Sequence, residues 1–124
     1  VHGIPPQEGM LTDLLFKDSR KNKVFVVNRE RRGVKKARLT FARKTSDDPS
    51  LVHIRLYTGR THQIRVHMAH IGCPLFMDNL YGTPGPQSRH ALHAFKLHFI
   101  HPVSDTPVEI TRALPQDLRK IIYY

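Results

Sequence analysis

The sequence predicts an α+β fold: a mostly antiparallel sheet with a few short helices. Three observations lead there. Compact runs alternate apolar and polar residues with the period of a half-buried strand. The connections between them are short, as antiparallel neighbours allow, and only two stretches carry helical start and stop signals. At 124 residues the chain is one domain at most. A chain of this length buries roughly 65% of its extended surface.

Val1 to Gly9 is rich in proline and glycine and reads as extended or looped. Lys23-Val24-Phe25-Val26-Val27-Asn28 is a compact β-branched strand. A charged turn, Arg29 to Gly33, follows, with Gly33 free to take a positive φ. Ala37, Leu39 and Phe41 then alternate with polar neighbours, so Arg29 to Arg43 reads as a basic hairpin. Thr45 to Ser50 is a turn cluster leading into the strand Leu51 to Thr58. There Val52, Ile54 and Leu56 share one face, and His53, Arg55 and Tyr57 the other.

A helix is expected from about His62 to Ile71, with Thr61 as N-cap, Gly72 as C′ and Pro74 beyond. Ile64, Met68 and Ile71 fall at i, i+4 and i+7 and form its buried stripe, and Arg65 emerges beside that stripe. Pro84-Gly85-Pro86 marks a loop. Leu92 to Ile100 and Val108 to Arg112 read as two more strands, and Pro115 at N1 opens a terminal helix through Ile122.

Charge points to the partner. The chain carries +10, and the stretch from Lys17 to Lys44 accounts for all of it, with twelve basic residues against Asp18 and Glu30. A polyanion is the natural ligand for such a stretch, and a solvated loop is the plainer alternative. The single cysteine, Cys73, excludes an internal disulfide and fits a reducing, cytoplasmic setting. No apolar run is long enough to span a bilayer, and no secretory signal opens the chain. It begins without methionine in mid-pattern, as a truncated or processed chain would.

Gly59-Arg60-Thr61-His62-Gln63-Ile64-Arg65-Val66-His67 carries the chemistry. A glycine turn delivers two arginines, a histidine and a glutamine to the start of a helix, where backbone N–H groups and the helix dipole favour anions. By itself this is an anion site. With Ile71-Gly72-Cys73-Pro74-Leu75 and Asp78-Asn79-Leu80-Tyr81-Gly82 downstream, the segment resembles the C-terminal signature of the RluA-like family of RNA pseudouridine synthases. Val1-His2-Gly3-Ile4-Pro5-Pro6, His90-Ala91-Leu92-His93-Ala94 and Leu114-Pro115-Gln116-Asp117-Leu118 resemble that family's flanking segments. The chain has Met77 and Asn79 where the family usually has glycine and proline.

The resemblance implies isomerisation of uridine to pseudouridine in RNA, rRNA or tRNA, with no cofactor and no metal. It also implies that residues 1–124 are the C-terminal portion of a catalytic domain. The family's catalytic aspartate stands in an Arg-Leu-Asp-x-x-Thr-Ser-Gly segment, and none of Asp13, Asp18, Asp47, Asp48, Asp78, Asp105 and Asp117 has that context. The half carrying it is therefore expected to lie outside the chain and to be a possible partner, and the chain alone is expected to be inactive. Arg65 matches the arginine that pairs with the absent aspartate. A core completed only by missing strands is expected to leave exposed sheet edges.

Arg60, His62 and Gln63 are candidates for contact with RNA phosphate or for support of the active-site cleft, with Arg60 and Gln63 alternatively satisfying local backbone groups. Arg29, Arg31, Arg32, Lys35, Lys36 and Arg38 are candidates for tracking the RNA backbone. Phe25 and Phe41 are read as core, whereas Tyr57 is open between core and base stacking. His67, His70 and Cys73 lie at helical spacing, but Cys73 sits past Gly72, and a polar hydrogen-bonded layer is the expected role of the histidines. Two other classes stand beside the enzyme: a non-catalytic RNA-binding module that kept the fold, and a basic ribosome-associated structural protein.

Overall fold

The computed structural model describes residues 1–82 and 89–123. The Pro84-Gly85-Pro86 loop lies outside the described residues. Two compact units divide the chain, Val1–Ala91 and Leu92–Tyr124.

The first unit is built on a four-stranded sheet of β1 (Glu8–Asp18), β2 (Lys23–Val27), β3 (Val34–Arg43) and β4 (Val52–Leu56). The order is β2-β1-β3-β4 with every adjacent pair antiparallel. The long central strand β1 is the element the sequence reading missed. Its inner row places Asp13 two residues from Leu11 and Leu15, which breaks the apolar alternation that marks a strand.

That omission misassigned the neighbours too. β2 and β3 do not form the basic hairpin expected over Arg29 to Arg43, because β1 lies between them and pairs with both. Residues 28–33 instead cross one face of β1, where the Arg31 guanidinium carbon lies 4.3 Å from the Phe16 ring centroid. Gly33 takes the positive φ expected of it, 88°, at the end of this crossing.

Strand alternation sorts β3 as expected. Ala37, Leu39 and Phe41 are buried, while Lys36 and Arg38 are exposed on the other face. Leu15, Val24 and Ala37 of the sheet pack with Val66 of the helix α1 (Gln63–His70), with Val26 and Tyr81 against the cluster. Burying each Leu or Val of this kind contributes about 1.5–3 kcal/mol. β4 alternates as read, although Leu56 remains half-exposed at the edge of the sheet.

The second unit pairs β5 (Lys96–Ile100) with β6 (Pro107–Thr111), antiparallel, and ends in α2 (Gln116–Tyr123). β5 starts at Lys96 rather than Leu92, and all five of its residues are exposed. Leu97 and Ile100 are each more than half exposed. Pro115 precedes α2 rather than opening it, and its carbonyl accepts from Leu118 and Arg119.

Gly9 sits opposite Phe41 in the β1–β3 ladder. A Cβ there would stand 2.8 Å and 2.9 Å from two carbons of the buried Phe41 ring. Gly9→Ala should destabilise the protein by about 1–3 kcal/mol through overpacking. Urea unfolding of the variant checks this, and an unchanged midpoint would show that the ring has room to move.

Candidate functional site

A buried amide organises the turn that leads into α1. The Gln63 side chain, 3% exposed, accepts from the Thr58 hydroxyl at 2.7 Å and from the Arg60 N–H at 3.0 Å. Its Nε2 donates to the Arg38 carbonyl at 3.1 Å, and the Arg38 N–H donates to Thr58 Oγ1 at 2.9 Å. Gln63 is thus a strut between turn and sheet, the local role weighed for it in the sequence.

The expected N-cap is corrected as well. His62, at φ 52°, occupies the cap position with no side-chain capping bond, and Thr61 lies outside the helix. The Gln63 amide ties down the turn where a Thr hydroxyl was expected to do so. The C-terminus matches expectation. Gly72 at φ 86° donates to Ala69 and Cys73 to Met68, the paired bonds of a Schellman ending.

The buried face of α1 is Gln63, Val66, His67 and Met68, so of the expected apolar stripe only Met68 is buried. The helix is turned because its polar residues meet partners on the sheet. Asp13 Oδ2 lies 3.0 Å from His67 Nδ1. The contact is off the N–H direction, and neither ring nitrogen makes a well-aligned hydrogen bond. Burial lowers the His67 pKa and outweighs Asp13, so a neutral imidazole rests against the carboxylate. His70 is exposed, and Cys73 is buried past the helix end.

Arg65 faces a loop that returns to the helix. Its Nε and Nη2 donate to the two oxygens of Asp78 at 2.9 Å and 2.8 Å. The Asp78 side chain is fully buried, that of Arg65 14% exposed. The Leu80 and Tyr81 N–H groups also donate to Asp78 Oδ1, each at 3.1 Å. Burial alone would raise the Asp78 pKa, but the Arg65 bond and these backbone donors together pull it below the usual carboxylate range. The same bond raises the Arg65 pKa.

Tyr81 completes the cluster. Its ring lies 5.1 Å from the Arg65 guanidinium carbon and 5.5 Å from Lys23 Nζ. Its hydroxyl accepts from the Val24 N–H at 2.9 Å and stands 2.7 Å from His62 Nδ1. Burial first, then the Arg65 charge, lowers the His62 pKa, and a neutral Nδ1 is suited to accept the Tyr81 proton. His90 is lowered by burial and Arg65 in the same way.

The sequence marked Arg65 and His62 but not the residues that hold them. The expected carboxylate partner of Arg65 lay outside the chain, whereas within it the guanidinium already engages Asp78. Asp78 and Tyr81 stood in a recognised segment, yet nothing in their spacing assigned them to Arg65. Arg60 is exposed, with Nε on the Lys36 carbonyl at 3.0 Å. Arg29, Arg31, Arg32, Lys35, Lys36 and Arg38 are all exposed, away from the Arg65 cluster in sequence but in the same unit. Met77 takes φ 64°, a left-handed conformation that favours the glycine usual there.

The RNA pseudouridylate synthase family matches residues 1–70. An uncharacterized RNA pseudouridine synthase, YjbO, of Bacillus subtilis (strain 168) is 49% identical over 78 residues, which cover 62% of this chain and 28% of that protein. An uncharacterized RNA pseudouridine synthase of Chloroflexus aurantiacus is 38% identical across 98% of this chain and 39% of its own length. Ribosomal large subunit pseudouridine synthase D of Zymomonas mobilis is 36% identical, covering 96% of this chain and 41% of that protein. The chain therefore spans less than half the length of these relatives. In fold it is similar to the solved human RNA Pseudouridylate Synthase Domain Containing 4, at TM-score 0.69 and 22% identity, over 95% of this chain and 56% of that one.

Asp78→Ala leaves a half-buried guanidinium and two N–H groups without their acceptor and should cost about 3 kcal/mol in urea unfolding. Because the folded-state pKa of Asp78 is depressed, its contribution is present above the ordinary carboxylate pKa and is lost as the pH falls below about 4. Asp78→Asn should flatten that acid loss, and an identical pH profile would refute the assignment. Met77→Gly relieves the left-handed strain and should change stability by no more than about 1 kcal/mol, in the stabilising direction. A lowered melting temperature would count against it.

Proposed function

Because the chain belongs to the RNA pseudouridylate synthase family, we propose that it is the C-terminal portion of a catalytic domain that isomerises uridine to pseudouridine in RNA. The nucleophilic aspartate is then supplied by polypeptide beyond residues 1–124. Ribosomal RNA is the proposed substrate, supported by the names of relatives such as the Zymomonas large-subunit enzyme. A cytoplasmic setting goes with that substrate. No helix among the described residues is long and apolar enough to cross a membrane.

The observation that carries this reading is the state of Arg65. Asp78 grips the edge formed by Nε and Nη2. A guanidinium has five donors in a planar fork, so its other edge, Nη1 with the second Nη2 hydrogen, points elsewhere. A second carboxylate on that edge would be held ionised at neutral pH, as a nucleophilic aspartate must be. Asp78 is then the positioning residue. It aims the guanidinium, and Tyr81 and His62 close the cluster around it.

In the whole enzyme a uridine leaves its stack at a cost of about a few kcal/mol and enters the pocket. The aspartate attacks the nucleoside, the glycosidic bond breaks, the uracil turns over, a carbon–carbon bond forms at C5 as the aspartate is released, and the C5 hydrogen leaves to solvent as a proton. The exposed cations of residues 29–38 supply the salt-sensitive hold on RNA.

Release of tritium from RNA containing 5-tritiated uridine tests the reading. The 124-residue chain alone should release none, and release by it would overturn the division proposed here. Joined to the polypeptide encoded upstream it should release label, and Arg65→Ala should lower that rate by about a hundredfold or more. A joined protein that binds RNA and releases nothing is a binding module instead. If about six Lys and Arg neutralise phosphates, log affinity should fall against log salt with a slope of roughly −4 to −5.

A further inference from the structure

We infer that Tyr57 is a stacking subsite for an unpaired base of the bound RNA, with Arg38, Arg55 and Arg60 holding the phosphates beside it. The inference rests on the RNA reading above and names the kind of RNA that this surface takes.

Tyr57 follows β4, the edge strand, and is 47% exposed. Its N–H donates to the Arg38 carbonyl at 3.0 Å, which puts it across from Arg38 at the end of the β3–β4 ladder. It therefore belongs to the face opposite Leu39 and Leu56, away from the side on which Val66 packs. The Arg38 guanidinium carbon lies 4.6 Å from its ring centroid and that of Arg55 5.4 Å. Arg60 is exposed three residues further on, braced by its Nε on the Lys36 carbonyl. An apolar core residue would be covered. Here a large ring is displayed among cations, and every base has a face that stacks on it.

Phe16 and Phe25 carry cations of their own, Arg31 over the first and Lys21 and Lys23 over the second, but both rings are less exposed than Tyr57. Tyr57 also sits on a rigid support. Thr58 and Arg38 are bound to the Gln63 amide, and Gln63 opens the helix that carries Arg65. The stacking ring and Arg65 thus belong to one braced piece of the first unit. A duplex keeps its bases stacked on each other, so such a ring selects single strands, loops or bulges.

Fluorescence anisotropy with a labelled short oligouridine, and with an RNA duplex of equal length, tests this on the 124-residue chain at low salt. Tyr57→Ala should weaken the single strand about tenfold and the duplex by less than about twofold. Tyr57→Phe, which keeps the ring, should bind as the parent does. Tyr57→Leu, which keeps apolar bulk, should behave like the alanine variant and covers the case in which alanine unfolds the strand end. Unchanged single-strand affinity in both variants, or equal losses on both RNAs, would overturn the subsite and leave the RNA reading standing. If the parent chain binds neither RNA, that reading falls and the subsite falls with it.

Discussion

A guanidinium forked onto a fully buried carboxylate is the constraint on which the site depends. Asp78 accepts four donors, two from Arg65 and two from the backbone of its own loop. The loop is thereby fastened to α1, and the Tyr81 hydroxyl fastens it again to β2 through the Val24 N–H. A buried ion pair of this kind adds little stability over a well-packed apolar pair. What it provides is direction. With one edge of the fork fixed, the plane of the guanidinium is fixed, and any second anion must approach along a set line.

The same economy of polar groups explains which parts of the fold were legible in the sequence. β3 was readable because Ala37, Leu39 and Phe41 all point inward and nothing interrupts them. β1 was not, because Asp13 takes an inner position to meet His67, and one inward carboxylate hides the alternation of a strand. The end of α1 was readable from Gly72, whose left-handed φ is a local property of one residue. Its start was not, since the tie comes from the Gln63 amide reaching Thr58 and Arg38, residues placed by tertiary structure.

The candidate site divides along the same line. Arg65 was found because its motif is contiguous. Asp78 as its partner was not, because the twelve positions between them include a helix end and a turn whose path no spacing rule gives. The basic stretch was legible as charge and misread as a hairpin, because pairing β2 with β3 assumes that sequence neighbours are sheet neighbours. The insertion of β1 between them is long-range information.

That insertion decides where the charge goes. With β1 in the centre, residues 28–33 must cross its outer face, which carries Arg31 onto Phe16. Alternation along β3 sends Lys36 and Arg38 to the side shared by Arg55 of β4 and Tyr57 just after it. Cations from separate stretches therefore gather on one face, while Asp13, Gln63, His67 and Asp78 lie among the buried or half-buried groups of the helix side. Like charges crowded on one side repel each other and destabilise the folded chain. Their aromatic neighbours soften this only partly, since an exposed cation–π pair contributes about 0.5–1 kcal/mol. A polyanion removes the repulsion and releases its own counterions as it binds. The surface that is unfavourable in the free protein is one that a bound polyanion relieves, and the Gln63 amide joins that surface to the helix bearing Arg65.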